Sequence, residues 1–166
     1  IYQRPLQLIM ADADRPLVRL VVGVCVIPHE LGHALPAWLA GLDIEVTVLP
    51  AWDGDGTPLV RFNAPLESGT PLWLIRLIAL APLPLYLGVA AGAGAVVPPN
   101  SLVGFPVLVA LSFWAVLSQG DLAVAASPER VRETGEFLAP AASLTATVML
   151  LLSPATVLAV SLLLFW

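Results

Sequence analysis

Charged side chains fall in clusters along the chain and leave long apolar stretches between them. Between Arg19 and Asp43 lie 23 residues whose only ionisable side chains besides Cys25 are His29, Glu30 and His33. Between Arg76 and Asp121 lie 44 residues with no charge, and 30 more uncharged residues follow Glu136. About 20 apolar residues cross the hydrocarbon of a bilayer, so the longest stretch has room for two crossings. A turn is expected between them at Val97-Pro98-Pro99-Asn100-Ser101, because paired prolines and Asn favour one. The pattern predicts four spans, about 17–41, 73–97, 102–127 and 140–165, each helical because backbone groups in lipid must be satisfied within their own segment. Prolines inside three of them (Pro28 and Pro36, Pro82 and Pro84, Pro154) predict kinks.

The segment between the first two spans has a different period. Ile44-Glu45-Val46-Thr47-Val48-Leu49 alternates apolar and polar residues and is β-branched, a strand pattern. Leu59-Val60-Arg61-Phe62 is a weaker second strand, and Trp52-Asp53-Gly54-Asp55-Gly56 is turn chemistry. A small β-hairpin over 44–63 is expected. Asp53 and Asp55 share the spacing of a calcium loop but lack its other ligands and its distal Glu. Ala90 to Val97 is rich in Ala and Gly, which suits close helix packing in a membrane.

Composition sharpens this pattern. The chain is 166 residues long, 58% hydrophobic and 11% charged, with mean hydropathy +0.90. A soluble domain carries roughly 25% charged residues, so there is too little polar surface here for a water-facing shell. One cysteine excludes an internal disulfide. The net charge is −5 and all seven basic residues are Arg, which leaves no basic stripe for nucleic acid. The expectation is one membrane-embedded domain, an all-α membrane protein with a four-helix transmembrane bundle and a small β-hairpin between spans one and two. Its setting would be a prokaryotic cell membrane. The acidic, lysine-free balance fits a salt-loving source, and codon bias would remove Lys equally well. Trp38, Trp52, Trp73 and Trp166 near span ends suit interfacial belts, and Arg76 suits snorkelling to the interface.

The candidate chemistry lies in the first span. His29-Glu30-Leu31-Gly32-His33 is an H-E-x-x-H pattern, and these are the chain's two histidines. Residues at i and i+4 lie about 40° apart around a helix and about 6 Å apart along it, so two imidazoles can hold one ion. Glu30 can then act as general base toward water at that ion, and Zn²⁺ is the default ion for nitrogen and carboxylate ligands. Ionisable groups inside a span are costly, which makes them a functional site by default. The competing reading is a buried polar network in which the three side chains satisfy one another.

A third ligand would leave one position open for water. Asp121, in Ser118-Gln119-Gly120-Asp121-Leu122, is the remaining acidic residue inside a span. Spans one and three run in the same direction. At 1.5 Å per residue, His33 and His29 lie about 12 and 18 Å, and Asp121 about 9 Å, from the boundary on the hairpin side. The competing reading puts Asp121 in solvent at the end of its span. Cys25, one turn before His29, is a second candidate, although a single buried Cys is usually a small hydrophobe.

Pro28-His29-Glu30-Leu31-Gly32-His33-Ala34 in a first apolar helix, a strand-like insert, and Ser-x-Gly-Asp-Leu in a later span together resemble the site-2-protease-like membrane zincins, in particular their small branch. The resemblance covers roughly residues 17–127. It implies zinc held by His29, His33 and Asp121, water activated by Glu30, an active site opening toward the cytosol, and cleavage of substrate helices within or near the bilayer. It also implies that the insert holds unwound substrate, here along Ile44, Val46 and Val48 by β-augmentation. Two departures stand out. Better-known members carry Leu-Asp-Gly where this chain has Gly-Asp-Leu, and Ala81-Pro82-Leu83-Pro84-Leu85-Tyr86 keeps a proline but lacks the Asn of their middle helix. The expected function is zinc-dependent peptide-bond hydrolysis on a membrane-protein or peptide substrate, in contact with the lipid bilayer and without nucleic acid. The rivals are a catalytically silent zincin-like scaffold and a small metal or solute transporter.

Overall fold

The computed structural model describes residues 16–48, 60–98, 101–140 and 142–166. In chain order the elements are α1 (Pro16–Leu39), β1 (Glu45–Val48), β2 (Val60–Asn63), α2 (Leu72–Leu80), α3 (Pro82–Gly94), α4 (Gly104–Ala115), α5 (Gln119–Ala126), α6 (Pro128–Thr134) and α7 (Ser143–Phe165). Among them, α4 and α5 taken together (Gly104–Ala126) and α7 are long and apolar enough to cross a membrane. A third crossing is added if the bent pair α2 and α3 counts as one. At 1.5 Å per residue, the 23 residues of α7 extend about 35 Å, enough for the roughly 30 Å of hydrocarbon.

The helices start and stop for local reasons. Gly41, with φ 77°, ends α1 in a left-handed turn. The Gly41 N–H bonds to the Trp38 carbonyl and the Leu42 N–H to the Ala37 carbonyl, the paired bonds of a Schellman motif. The chain then enters β1, which pairs antiparallel with β2 in the register Glu45↔Asn63, Val46↔Phe62, Thr47↔Arg61 and Val48↔Val60. Residues 49–59, where the expected turn and the Asp53/Asp55 pair fall, lie outside the described residues.

The expected bundle of four kinked spans needs correction: among the described residues two helices, or three if the bent pair counts as one, are long and apolar enough to cross. The second span is two helices bent by 46° at Ala81. Pro82 brings no N–H to continue α2, and at position N1 of α3 that lack costs nothing. The third span breaks at Val116–Ser118 without a proline. There the extended Val116 ends α4, and Ser118 and Asp121 form a capping box that starts α5. Pro28, Pro36 and Pro154, by contrast, sit inside continuous helices.

The core lies where the broken helices meet their neighbours. Ile75 and Ala79 of α2 pack with Ala123 and Val124 of α5 and Val131 of α6, while Leu74 and Ile78 pack with Ala34 and Ala37 of α1. A separate cluster joins Tyr86 and Ala90 of α3, Leu111 and Ala115 of α4, and Val160 of α7. A Cβ added to Gly94 would collide with the carbonyl oxygen of Leu163, so the small residue lets the α3 and α7 backbones approach closely, as the composition of 90–97 suggested. The outer face of α7 is apolar and bare, with Leu150 and Leu151 about 70% exposed, as expected of a surface that meets lipid. Arg76 is exposed at its α2 position and donates through Nε to the Ala125 carbonyl at the end of α5.

Candidate metal centre

His29 and His33 sit one turn apart on α1, buried, with ring centroids 4.9 Å apart and planes at 84°. Each ring is held from behind by a backbone carbonyl. His29 Nδ1 lies 3.0 Å from the Trp114 oxygen at the end of α4, and His33 Nδ1 lies 2.8 Å from the Ile78 oxygen in α2. A carbonyl oxygen can only accept, so both Nδ1 atoms carry hydrogen and donate. In the neutral imidazoles the two Nε2 atoms are then acceptors, and they face each other at 3.3 Å.

Asp121 completes the group from the first turn of α5. Its position follows from the break in the third span. Ser118 is the N-cap and accepts at Oγ from the Asp121 N–H at 3.1 Å, while Asp121 Oδ2 accepts from the Ser118 N–H at 2.6 Å. The carboxylate held in this way turns toward α1. Oδ2 lies 3.2 Å from His29 Nε2 and Oδ1 lies 3.2 Å from His33 Nε2. Ser118 was not singled out from the sequence as a site residue, although Ser-x-x-Asp is the capping-box spacing. The Trp114 and Ile78 carbonyls have no signature in sequence, since every residue has one.

Two neutral imidazole acceptors and a carboxylate, packed together, have no donor among them. That arrangement is satisfied either by a metal ion or by a proton on one Nε2 shared with the Asp121 carboxylate. Atoms bound at about 2.0–2.1 Å to a tetrahedral zinc-like ion lie roughly 3.3 Å from one another. The two Nε2 atoms are 3.3 Å apart and each lies 3.2 Å from a different oxygen of Asp121; with one ligand atom from each residue the group lies within 4.8 Å. His29, His33 and Asp121 could therefore hold a metal ion, and among the described residues they are the group of His, Cys, Asp or Glu side chains close enough to do so. Cys25 is exposed and stands outside this group.

Glu30 is half-buried next to His29, and both line a cavity of about 710 Å³ between α1, α4 and α7. Its other walls are mostly apolar, including Phe105, Val109 and Phe113 of α4 and Met149 and Val157 of α7, with Ser118 at the start of α5. Of the residues expected to line a substrate strand, Ile44 precedes β1 and is half-buried against the cluster of Ala34, Leu74 and Ile78. Val46 and Val48 lie within β1, and their side chains fall outside the described features. On the far side of α1, the Tyr86 hydroxyl donates to the Pro28 carbonyl, tying α3 to the turn that carries His29.

No family model, characterised protein or solved structure matches this chain.

Proposed function

We propose that this protein is a membrane zinc metalloprotease that resembles the site-2-protease-like zincins, acting as one domain in a cell membrane. The observation that supports it best is the meeting of His29, His33 and Asp121 with ligand atoms within 4.8 Å of one another, and with Glu30 beside His29 and open to a cavity. A bound zinc ion would supply Lewis acidity, which polarises a carbonyl and lets water act as nucleophile at neutral pH. His29 and His33 bind through Nε2, with the hydrogen on Nδ1 locked by backbone carbonyls. Asp121 contributes the negative ligand. Glu30 takes a proton from the attacking water and passes it to the leaving amine.

In this reading four crossings are made by α1, the bent pair α2–α3, the broken pair α4–α5, and α7. The substrate is an apolar segment of a membrane protein or peptide. The cavity between α1, α4 and α7 borders Glu30, and its apolar walls suit such a segment. The unwound stretch pairs with the edge of β1, along Val46 and Val48.

The test uses the purified protein in lipid vesicles with a fluorescence-quenched apolar peptide inserted in the same bilayer. Wild type loaded with zinc is expected to cleave it. Glu30→Gln is expected to retain zinc and lose cleavage by about 10²–10⁴-fold, since general-base catalysis contributes on that order. Cleavage by Glu30→Gln at the wild-type rate would sink the mechanism. Zinc binding without cleavage by wild type would favour the silent scaffold.

A further inference from the structure

The break between α2 and α3 lies against the metal centre, and its position has a chemical use. In a continuous helix the Ile78 carbonyl would accept the N–H of residue 82. Residue 82 is Pro, which has none. The Ile78 oxygen is left with one long contact from the Ala81 N–H at 3.4 Å, and it takes the His33 Nδ1 hydrogen at 2.8 Å instead. A second observation places the same proline against α1. A Cβ added to Gly32, the residue before His33, would lie 3.0 Å from both Cα and Cγ of Pro82. Gly32 thus lets the helix that carries His33 settle onto the proline ring, at the height of the released carbonyl.

We propose that Pro82 is a positioning residue of the metal centre: by lacking an N–H it releases the Ile78 carbonyl, which fixes His33 with hydrogen on Nδ1 and its Nε2 lone pair aimed at the ion. Partners of this kind set the tautomer and ring orientation of metal-binding histidines, and losing one costs about 10- to 100-fold in metal affinity. Replacing Pro82 by Ala restores a competing N–H within α2. Replacing Gly32 by Ala keeps the carbonyl free but pushes α1 away from it. Both changes act on His33 and leave the His29 bond to the Trp114 carbonyl in place.

The chain has two histidines, so ¹⁵N-histidine labelling gives a spectrum of two imidazoles, assigned with His29→Ala. Metal-free wild type in lipid vesicles, in alkaline buffer where an ordinary imidazole is neutral, is expected to show both rings with hydrogen on Nδ1. Pro82→Ala and Gly32→Ala are expected to shift His33 toward the Nε2–H form while His29 keeps its wild-type signals. Zinc affinity by chelator competition should fall about 10- to 100-fold in each. Pro154→Ala, which removes a proline inside the continuous helix α7, is expected to change neither. The wild-type spectrum decides even if Pro82→Ala does not fold, because hydrogen on His33 Nε2 in that spectrum overturns the proposal. So does a folded Pro82→Ala protein with an unchanged His33 signal. The proposal takes its purpose from the zinc reading, but the tautomer measurement needs no metal. A His33-selective shift in a protein that binds no zinc would overturn the proposed function and leave the role of Pro82 standing.

Discussion

The helices that carry and hold the His29–His33–Asp121 group and α7, which lines the cavity beside it, are built from similar residues and behave differently. α7 runs 23 residues without a break, although it contains Pro154, and much of its apolar surface is bare. Its hydroxyls bond inward to its own turns, Ser153 to the Met149 carbonyl and Thr156 to the Leu152 carbonyl. The crossings that contact the centre are each interrupted, at Ala81 and at Val116–Ser118. Irregular backbone at membrane depth is tolerated where protein covers it, and here each interruption is covered by α1. The Trp114 carbonyl beside one break and the Ile78 carbonyl beside the other are both bonded to imidazoles. Helix regularity is interrupted beside the carbonyls that bond the two imidazoles and kept along the bare apolar face of α7.

The largest effect expected on this contrast comes from removing a ligand. Asp121→Ala should lower zinc affinity by more than the roughly 100-fold upper range for a supporting residue, because it removes a direct ligand and the cap of α5 together. Competition with a chelator reads it, and affinity equal to wild type would mean that the carboxylate is structural.

Core variants sharpen the same comparison in stability. Ile75→Ala, fully buried between α2 and α5, should cost about 2–5 kcal/mol in reversible unfolding from micelles. Leu150→Ala on the bare face of α7 should stay within about 0.5 kcal/mol, as surface changes usually do. Equal losses at the two sites would show that the bare face of α7 is covered by protein.

Ser118→Ala should cost about 1 kcal/mol as a lost N-cap, and a zinc affinity lowered within the 10- to 100-fold range of supporting residues should accompany it. Stability lost with affinity intact would separate the helix start from the metal site. The smallest effect is expected at Thr147, exposed on α7 and bonded to the Ser143 carbonyl, where Ala should change neither stability nor metal binding measurably.

The H-E-x-x-H spacing was legible because helical geometry alone brings positions 29 and 33 together, and burial depth alone brought Asp121 to their level. The uncharged runs located the apolar helices for a similar reason, since charge is excluded from lipid. The breaks were harder to see. Seven prolines lie in the expected spans, and the one at which a helix ends, Pro82, differs from Pro28, Pro36 and Pro154 through its neighbours rather than its own chemistry. It is followed by Pro84 and faces a glycine on α1. The second break has no proline, and only the Ser118–Asp121 spacing hinted at it. The exposed position of Cys25 and the packing of Ile44 against the core are tertiary facts with no local signature.

The pairing of His29 with Asp121 joins residues 92 positions apart in the chain. At about 5–20 residues per second of synthesis, Asp121 is made roughly 5–18 s after His29. Over that interval α1 carries two imidazoles and the Glu30 carboxyl without Asp121, while Ile78 is made about halfway through and Trp114 near the end. The His29–His33–Asp121 group is therefore assembled late, when α5 arrives beside α1. The three side chains that could hold a metal ion cannot meet until Asp121 has been added.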